Sequence, residues 1–333
     1  MRTVIKFAGA LLEEDAVVGS LARQVAALAQ EGHEILVVHG GGKLFTSTLK
    51  RMNIESNFVN GLRVTDRETR DVGVMVFAGL LNKRLAAAIS AEGQPAVGIS
   101  AADAKCFLAE PMVLNDVTGS LGFVGYLTGV KVEFLQSLWR ENLLPVAACL
   151  GLGPDNELYN INADHMAAAC AEYLDADQLI YLTDVAGVLD GDKVLSSIAC
   201  KDVERLVQSR VVSGGMVLKL EAAKRALEGG VREVRIVGGT LAEAVLSAAR
   251  AAENLAAEPT TGFTGTRVLR EPLNSTKSAV TVASRALLIS PSHRRTPPQR
   301  RSRERFARAL QNRTRVLLTP TNSCCPRTSG RRS

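Results

Sequence analysis

The sequence predicts an α/β fold in which helices cover both faces of a mainly parallel β-sheet. Segments with helical periodicity alternate with short strands along most of the chain, and this alternation is typical of parallel sheets. The strands are solidly apolar, as expected for strands buried between two helical layers. Glycine-rich turns follow several strands, so we expect a ligand site beyond the carboxyl ends of the strands.

The first half of the chain supplies the first set of these elements. Apolar runs predict strands at 3–7, 34–38, 95–100 and 144–148, with irregular β structure at 122–130. Apolar residues three or four positions apart predict a helix that ends near Gly32, a helix from about residue 44, and helices at about 68–91 and 132–141.

The second half repeats the pattern. We expect helices at about 162–174, at 202–208, from about residue 217 and at 241–252, with strands at 178–182 and 233–237. After about Arg270 the periodicity ends. The segment 270–333, rich in Arg, Ser, Thr and Pro, is therefore expected to be a disordered tail.

Composition excludes several classes of protein. Hydrophobic residues make up 46% and charged residues 22% of the chain, as in average globular proteins. No apolar run approaches the roughly 18 residues of a membrane span. Lys6 interrupts the N-terminal segment where a signal peptide would be apolar. We therefore expect a cytoplasmic protein that does not bind membranes.

The charge is divided unevenly along the chain. Residues 270–333 carry a net charge of +13 and residues 1–269 a net charge of −7. The basic pI therefore does not describe the globular part, and binding of nucleic acid is not expected from it. Two interpretations of the tail stay open: a basic arm for an anionic partner, or an accidental extension such as translation out of frame.

Cysteine and histidine are too sparse and too scattered for a metal centre. The six Cys form no C-x-x-C pair, and the six Cys and four His form no cluster with the spacing of a zinc site. The pattern favours buried or incidental thiols in a reducing compartment. It supports neither a Cys–His nucleophile nor a metal hydrolase.

The segment Gly40–Gly42 is the first candidate for chemistry. The residues around it fit neither the Walker loop nor the dinucleotide fingerprint. Three successive glycines between a strand and a helix allow the backbone to approach an anion closely. The alternative is a tight turn without a ligand, and we favour the anion-binding loop.

Four charged residues complete the candidate site, and each has an ordinary structural alternative. Lys6 lies in an apolar strand, where it needs a partner or ligand unless the strand is at an edge. Lys219 follows Gly214-Gly215 near a helix start, where the helix dipole opposes a cation unless an anion is present; it could instead be a solvated surface residue. Asp164 follows two Asn and could simply cap a helix. Arg63 could clamp a carboxylate or form a surface ion pair. Together, two lysines, a glycine loop and one carboxylate suit phosphoryl transfer without a covalent intermediate.

Seven short segments, in this order and spacing, resemble the amino acid kinase family, and within it the members that phosphorylate N-acetyl-L-glutamate. The segments are IKFAG (5–9), VHGGG (38–42), GLRVTD (61–66), LGFVG (121–125), YNINAD (159–164), LTDVAGVL (182–189) and GGMVLK (214–219). The resemblance covers residues 3 to about 268.

The resemblance implies a three-layer αβα sandwich around a mainly parallel sheet of roughly eight strands. Residues 1–158 would form an N-terminal lobe for the acetylglutamate and for dimerisation, and residues 159–269 a C-terminal lobe for ATP. The implied reaction transfers the γ-phosphoryl of ATP to the side-chain carboxylate of N-acetyl-L-glutamate, the second step of arginine biosynthesis. Mg²⁺ would be held mainly by phosphates, without a protein cage.

The resemblance also assigns a role to each candidate residue. Lys6 and Lys219 would stabilise the transferring phosphoryl group, and Asp164 would orient both lysines. Gly41, Gly42, Arg63 and Asn160 would bind the substrate, with Arg63 on its α-carboxylate. The nucleotide would be bound by Gly9, by Asp184, Val185, Ala186, Gly187, Val188 and Leu189, and by Val211, Val212 and Ser213.

The sequence departs from the family pattern at a few positions. Ala8 and Ala101 replace glycines that are usual there, so their Cβ atoms are expected to crowd a phosphate or to impose a positive φ on a non-glycine residue. Tyr126 replaces an acidic residue and Gly238 an aspartate. Because the chain begins almost on its first strand, we expect a homodimer that arginine does not inhibit.

Other functions remain as alternatives. A sister kinase acts on carrier-protein-linked aminoadipate or glutamate in lysine biosynthesis, although the loop at 61–66 favours the free acetylated amino acid. A non-catalytic arginine-sensing module of the same fold is the second alternative. Retention of both Lys6 and Lys219 argues for catalysis instead.

Overall fold

Eight strands form the central sheet, and the first strand of the chain lies in its middle. In the computed structural model of the chain, residues 1–59, 61–113, 121–253 and 264–271 are described; all of them except Val113 belong to one compact unit. The strands are β1 (Arg2–Phe7), β2 (Glu34–His39), β3 (Phe58–Val59), β4 (Leu62–Arg63), β5 (Ala96–Ile99), β6 (Phe107–Pro111), β7 (Val124–Val130), β8 (Leu144–Ala148), β9 (Leu150–Leu152), β10 (Leu158–Ile161), β11 (Gln178–Thr183), β12 (Leu189–Asp190), β13 (Lys193–Val194), β14 (Ser197–Ala199), β15 (Glu233–Gly238) and β16 (Thr266–Leu269).

The order of the central sheet is β14-β16-β15-β11-β1-β2-β8-β5. Every neighbouring pair is parallel except β15 and β16, which run antiparallel. Phe7 of β1 lies opposite Leu182 of β11 and His39 of β2. The loops that follow these three strands therefore leave the sheet side by side. The expected eight-stranded, mainly parallel sheet is confirmed.

Helices pack on this sheet and supply most of the remaining core. They are α1 (Asp15–Gln30), α2 (Gly42–Arg51), α3 (Arg67–Val74), α4 (Asn82–Ala91), α5 (Val132–Arg140), α6 (Ala163–Tyr173), α7 (Val203–Gln208), α8 (Gly215–Glu228) and α9 (Ala244–Glu253), with short 3₁₀ turns at Gly9–Leu12, Asp103–Lys105 and Cys200–Asp202. Strands β1, β2, β8, β11 and β15 are buried along most or all of their length. This burial explains why β1, β2, β8 and β11 are largely apolar, whereas β15 buries the ion pair of Glu233 and Arg235.

A π-helical segment, Met75–Leu81, joins α3 to α4 without a break. The whole helical stretch Arg67–Ala91 is long and apolar enough to cross a membrane, by length and composition alone. This was not predicted from the sequence, because the stretch contains no uninterrupted apolar run of roughly 18 residues. Half of its most apolar window is buried within the protein. Helix α4 contacts α1, β5 and β8, so packing in the core explains much of the apolar composition.

A second, small sheet closes into a barrel of β6, β7, β9 and β10. The prediction of irregular β structure at 122–130 is confirmed: β7 is a strand of seven residues, and its pairing with β6 shifts register between Leu127 and Gly129. Position 125 requires a glycine, because a Cβ atom there would lie only 2.8 Å from the Glu110 carbonyl oxygen. The partner strands β9 and β10 have three and four residues, which is too short for a clear period of two.

Two helices begin earlier than the apolar pattern indicated. Helix α2 begins at Gly42 and α8 at Gly215, each directly after a glycine, Gly41 and Gly214. Glycines rank low as helix formers, so the sequence pattern placed both starts two residues too late. The helix predicted at 241–252 lies at Ala244–Glu253. The tail predicted to be disordered lies, beyond residue 271, outside the described residues.

Candidate active site

Lys6, Asp164 and Lys219 form a buried charged cluster at the carboxyl end of β1. The ammonium Nζ of Lys6 lies 2.7 Å from Asp164 Oδ1, and Nζ of Lys219 lies 2.8 Å from the same oxygen. The three side chains are only 8%, 12% and 7% exposed. We call these three residues the Lys–Asp–Lys cluster.

The fold explains why each member of the cluster reaches this position. Lys6 lies on β1, between β2 and β11, so the edge-strand interpretation was wrong. Asn162, rather than Asp164, caps helix α6: its side-chain oxygen accepts hydrogen bonds from the backbone N–H groups of Asp164 and His165. The carboxylate of Asp164 is therefore available to the lysines. The early start of α8 at Gly215 places Lys219 in the second turn of that helix.

Burial and charge shift the protonation of the cluster. Burial alone would raise the pKa of Asp164, but the two ammonium groups outweigh it and hold that pKa well below its usual value. The pKa of Lys219 falls to about 8, first because of burial and then because of the charge of Lys6. With both lysines protonated the cluster carries a net positive charge, which suits an anion.

Tyr181, which the sequence reasoning did not single out, supports two members of the cluster. Its hydroxyl donates to the backbone carbonyl of Asp164 at 3.0 Å. The Lys219 ammonium lies 5.0 Å from the centre of its ring, within the range of a cation–π interaction. A tyrosine inside an apolar strand gives no signal of this role, because β11 is buried throughout.

The glycines after β1 and β2 lie against each other beside this cluster. A Cβ atom on Gly9 would lie 2.9 Å from Gly41 Cα and 3.1 Å from the Gly42 nitrogen. A Cβ atom on Gly40 would lie 3.2 Å from Cβ of Ala163, the residue before Asp164. Only glycine permits backbones to approach this closely. The first helical hydrogen bond of α2 runs from the Phe45 N–H to the Gly41 carbonyl. The N–H groups of Gly41 and Gly42 come before Phe45 and have no acceptor within the helix, so they can bind an anion.

Arg63 forms a buried cationic site with an open donor. Its side chain lies on the rings of Phe45 and Phe58, with its Cζ atom 4.6 and 4.5 Å from their centres. One terminal nitrogen, Nη2, donates to Thr46 Oγ1 at 2.7 Å. The other, Nη1, is buried and has no hydrogen-bond partner among the described residues. Arg63 is 8% exposed, so the alternative of a surface ion pair was wrong.

An unpaired, desolvated guanidinium favours a carboxylate ligand. Burial lowers the pKa of Arg63, yet a guanidinium remains charged at neutral pH. The sequence did not single out Phe45, Thr46 or Phe58, because they lie on α2 and β3 and meet Arg63 only in the folded chain.

Asn160 lies on β10 of the small barrel, close to the Arg63 segment. Its side-chain nitrogen donates to Thr65 Oγ1 at 3.3 Å, and the Thr65 hydroxyl donates to the Arg63 carbonyl at 2.8 Å. Thr65 thus links the two residues that were expected to bind one substrate.

The segment 184–189 follows β11 and is held by the last described strand. The Val188 N–H donates to Thr266 Oγ1 of β16 at 2.8 Å, and a Cβ atom on Gly187 would lie 2.8 Å from that hydroxyl. Asp184 is exposed and accepts a hydrogen bond from Thr183 at 3.1 Å.

The other residues expected to bind the nucleotide, 211–213, differ in how far they are exposed. In the turn before α8, Val212 is buried in the core, whereas Ser213 is exposed and Val211 partly exposed. The side chain of Val212 therefore belongs to the core.

The alanines that replace family glycines adopt ordinary backbone conformations. Ala8 has φ −66° and ψ 141°, and neither Ala8 nor Ala101 has a positive φ. The expectation of a strained backbone was wrong. Gly238 has a structural reason instead: a Cβ atom there would lie 3.1 Å from both Ala186 Cα and the Val185 carbonyl oxygen.

The structure also bears on the expected metal ion. Over the described ranges 1–59, 61–113, 121–253 and 264–271, no group of three or more His, Cys, Asp or Glu side chains is arranged to hold a metal. The one carboxylate of the Lys–Asp–Lys cluster is paired with two lysines. A magnesium ion would fit here only as a partner of phosphate oxygens.

Comparisons with known proteins identify the family of the chain. Residues 1–238 match the sequence model of the amino acid kinase family. The chain is 50% identical over 248 residues to a protein of Koribacter versatilis named acetylglutamate kinase, covering 74% of this chain and 94% of that protein. It is 43% identical over 238 residues to a protein of the same name from Acidobacterium capsulatum, covering 71% and 90%.

Solved structures show the same fold. The N-acetylglutamate synthase of Neisseria gonorrhoeae, complexed with coenzyme A and N-acetyl-glutamate, matches with a TM-score of 0.70 at 23% identity, over 81% of this chain and 60% of that one. The protein smu.665 of Streptococcus mutans UA159 matches with a TM-score of 0.66 at 25% identity, over 81% and 99%. From its central sheet, its glycine loops and the family match across residues 1–238, the chain belongs to the amino acid kinase family.

Proposed function

We propose that the protein transfers the γ-phosphoryl group of ATP to the side-chain carboxylate of N-acetyl-L-glutamate, in the biosynthesis of arginine. The Lys–Asp–Lys cluster carries this proposal. Two buried ammonium groups share one carboxylate oxygen, which leaves positive charge where a phosphoryl group in transfer would need it. The names of the relatives at 50% and 43% identity support the choice of substrate.

The chemistry requires charge neutralisation and positioning. The attacking carboxylate is already ionised at neutral pH, so no general base is needed. Its approach to an anionic phosphate is opposed by repulsion, which Lys6 and Lys219 reduce in the transition state. Asp164 holds both ammonium groups at one point. In this scheme Asp164 is a positioning residue, and the lysines are the catalytic residues.

Arg63 would bind the α-carboxylate of the acetylglutamate. Its free Nη1 donor is buried, and its charge lacks an acidic partner in the ion pairs of the described residues. Asn160, linked to the same segment through Thr65, would contact the acetylamino group. Gly41 and Gly42 would donate their backbone N–H groups to the transferring phosphoryl.

The nucleotide would lie over the carboxyl ends of β11 and β15. Gly9, the segment Asp184–Leu189 and the turn 211–213 would bind it, and Mg²⁺ would supply further charge neutralisation when bound to its phosphates. The division into an acetylglutamate lobe at 1–158 and an ATP lobe at 159–269 belongs to the same proposal.

A homodimer in the cytoplasm completes the proposal. Met75 and Leu80, on the π-helical segment, are 54% and 58% exposed, although both side chains are large and apolar. A second copy of the chain would cover this apolar face. Sedimentation as a hexamer, or inhibition by sub-millimolar arginine, would contradict the expected arginine-insensitive dimer.

Trapping the acyl phosphate tests the activity. The purified chain with ATP and Mg²⁺ is given acetylglutamate, glutamate or aspartate, and hydroxylamine converts any acyl phosphate to a hydroxamate. We expect hydroxamate with acetylglutamate in large excess over the other two acids. Turnover confined to a carrier-protein-linked aminoadipate or glutamate would support the lysine-pathway kinase instead. No turnover of any acid would overturn the proposal.

A further inference from the structure

His39 lies at the start of the glycine loop but is not a member of the Lys–Asp–Lys cluster. It ends β2, is fully buried, and immediately precedes Gly40. Its ring nitrogen Nδ1 lies 3.0 Å from the Gly40 carbonyl oxygen. Its other nitrogen, Nε2, lies 3.1 Å from the side-chain nitrogen of Asn82, which is also fully buried.

The partners of Asn82 fix the orientation of its amide. The Nδ2 atom donates to the Val146 carbonyl oxygen at 2.8 Å, and Oδ1 accepts from the Lys83 ammonium at 3.3 Å. A carbonyl can only accept and an ammonium can only donate. The group that faces His39 is therefore the NH₂ of Asn82, and it must donate to Nε2.

The tautomer of His39 follows from this contact. If Nε2 accepts, the proton of the neutral ring is on Nδ1, which then donates to the Gly40 carbonyl. Burial keeps the ring neutral by lowering its pKa to about 4. The chain of donors thus runs from Asn82 through His39 to the backbone at Gly40.

Three neighbouring features surround Asn82 and the glycine loop. Asn82 begins α4 directly after the π-helical segment Met75–Leu81, an insertion that is rare and often found at functional sites. Gly98 on β5 leaves room for the amide, since a Cβ atom there would overlap the Asn82 oxygen. The preceding residue, Leu81, fills the space beside Gly41 that a side chain would otherwise occupy.

We infer that Asn82 and His39 are positioning residues for the glycine loop: Asn82 fixes His39 as its Nδ1–H tautomer, and His39 turns the Gly40 carbonyl away from the anion site. A carbonyl oxygen facing the phosphoryl group would repel it, whereas the following N–H groups attract it. The functional part of this inference rests on the proposed phosphoryl transfer.

The tautomer is tested directly on the full-length wild-type protein. ¹⁵N NMR of histidine-labelled protein at neutral pH distinguishes a protonated from an unprotonated ring nitrogen. We expect a neutral His39 with the proton on Nδ1, and assign the signal by its loss in His39→Gln. A proton on Nε2 would overturn the inference. This measurement does not depend on any activity, so it separates failure of the inference from failure of the proposed function.

Kinetics test the positioning role with a matched pair of variants. Asparagine places its amide nitrogen near the position of Nδ1, and glutamine places its polar group near Nε2. We expect His39→Gln to lower kcat about 30- to 100-fold, as misplaced catalytic groups do, with the KM for acetylglutamate changed less than about threefold. The kcat of His39→Asn should be at least about tenfold higher than the kcat of His39→Gln. Equal losses in both variants would contradict the assignment.

A third variant disturbs the network without touching His39. Gly98→Ala should displace Asn82 and reproduce the kcat loss of His39→Gln, with the Nδ1–H signal shifted. Gly19→Ala is the matched control, because nothing lies within 4 Å of a Cβ atom there, and it should retain full activity. A Gly98→Ala protein with wild-type kcat and an altered tautomer would overturn the positioning role.

Discussion

Lys6 and Lys219, which lie far apart in the sequence, approach the same atom, Oδ1 of Asp164, at 2.7 and 2.8 Å. One carboxylate therefore balances only one of two buried cations. The remaining positive charge is costly in the free protein and becomes favourable when an anion binds. Removal of one lysine should consequently lower activity without destabilising the fold, whereas removal of the shared carboxylate should lower both activity and stability.

Lys219→Met should abolish most activity without loss of stability. Removing one donor to the developing charge is expected to lower kcat about 100-fold or more. Because the pKa of Lys219 is about 8 in the folded protein, below its unfolded value, the wild type gains stability relative to Lys219→Met as pH rises from 8 to 10.5, by roughly 3 kcal/mol. Urea unfolding of both proteins across this range measures the difference; a constant difference would contradict the lowered pKa.

Asp164→Asn should damage both stability and catalysis. Without the carboxylate, two ammonium groups face each other in a buried site, and we expect a loss of about 3 kcal/mol in the free energy of unfolding. Chemical denaturation measures it. Asp192→Asn is the control, since that residue is exposed in the turn between β12 and β13, and it should change stability by less than about 0.5 kcal/mol. Equal effects would show that the cluster is not a buried charged site.

Arg63→Lys should weaken binding of the amino acid substrate alone. Lysine keeps the charge but loses the two-pronged guanidinium and its stacking on two rings. The KM for acetylglutamate should rise about 10- to 100-fold, with the KM for ATP nearly constant. The neighbouring Arg67, 68% exposed, provides the control Arg67→Lys. A larger change in the KM for ATP than in the KM for acetylglutamate would show that Arg63 does not bind the amino acid substrate.

Ala8→Gly should not lower kcat/KM, although glycine is usual at this position in the family. The backbone of Ala8 is extended and its N–H donates to Leu182 at 3.1 Å, so no strain is released. Added freedom of the unfolded chain should destabilise the variant by about 0.5–1 kcal/mol. Steady-state kinetics and thermal melting check the two parts. A large loss of kcat/KM would mean that the phosphate site is misplaced.

Acid should destabilise the fold between pH 6.5 and 4. His39 and His165 are buried, and burial lowers the pKa of each to about 4. The unfolded chain binds these protons at a higher pH, so stability is lost as pH falls through this window, by roughly 3 kcal/mol for each residue. Histidine NMR titration checks the pKa values directly. A ring that titrates near pH 6.5 would contribute nothing to the loss of stability in acid, which would contradict the prediction for that residue.

Much of the central sheet could be predicted from the sequence because its strands are buried on both faces. Such strands appear as solid apolar runs, as 3–7 and 178–182 do, and Lys6 then stands out as an exception. The small barrel was not predicted as a barrel, because strands of three or four residues have no clear period. Helix starts at glycines were placed late, since glycine gives no helical signal.

The site could be predicted only in its chemistry-bearing residues. Motif spacing identified Lys6, Asp164 and Lys219, but their meeting at one oxygen depends on the order of strands and on the cap by Asn162. The aromatic walls around Arg63 come from separate elements and have no local pattern. The same holds for the pairing of Asn82 with His39, residues that lie on α4 and β2.

Strand β16 places a limit on how far the chain can be shortened. The hydroxyl of Thr266 accepts the Val188 N–H from the segment proposed to bind ATP, and β16 pairs with both β14 and β15. Removing β16 would expose an edge of the central sheet and, at the same time, remove the hydrogen bond that holds the segment 184–189. Engineered truncations should therefore end after Leu269, and a fusion partner placed there would leave the catalytic face intact.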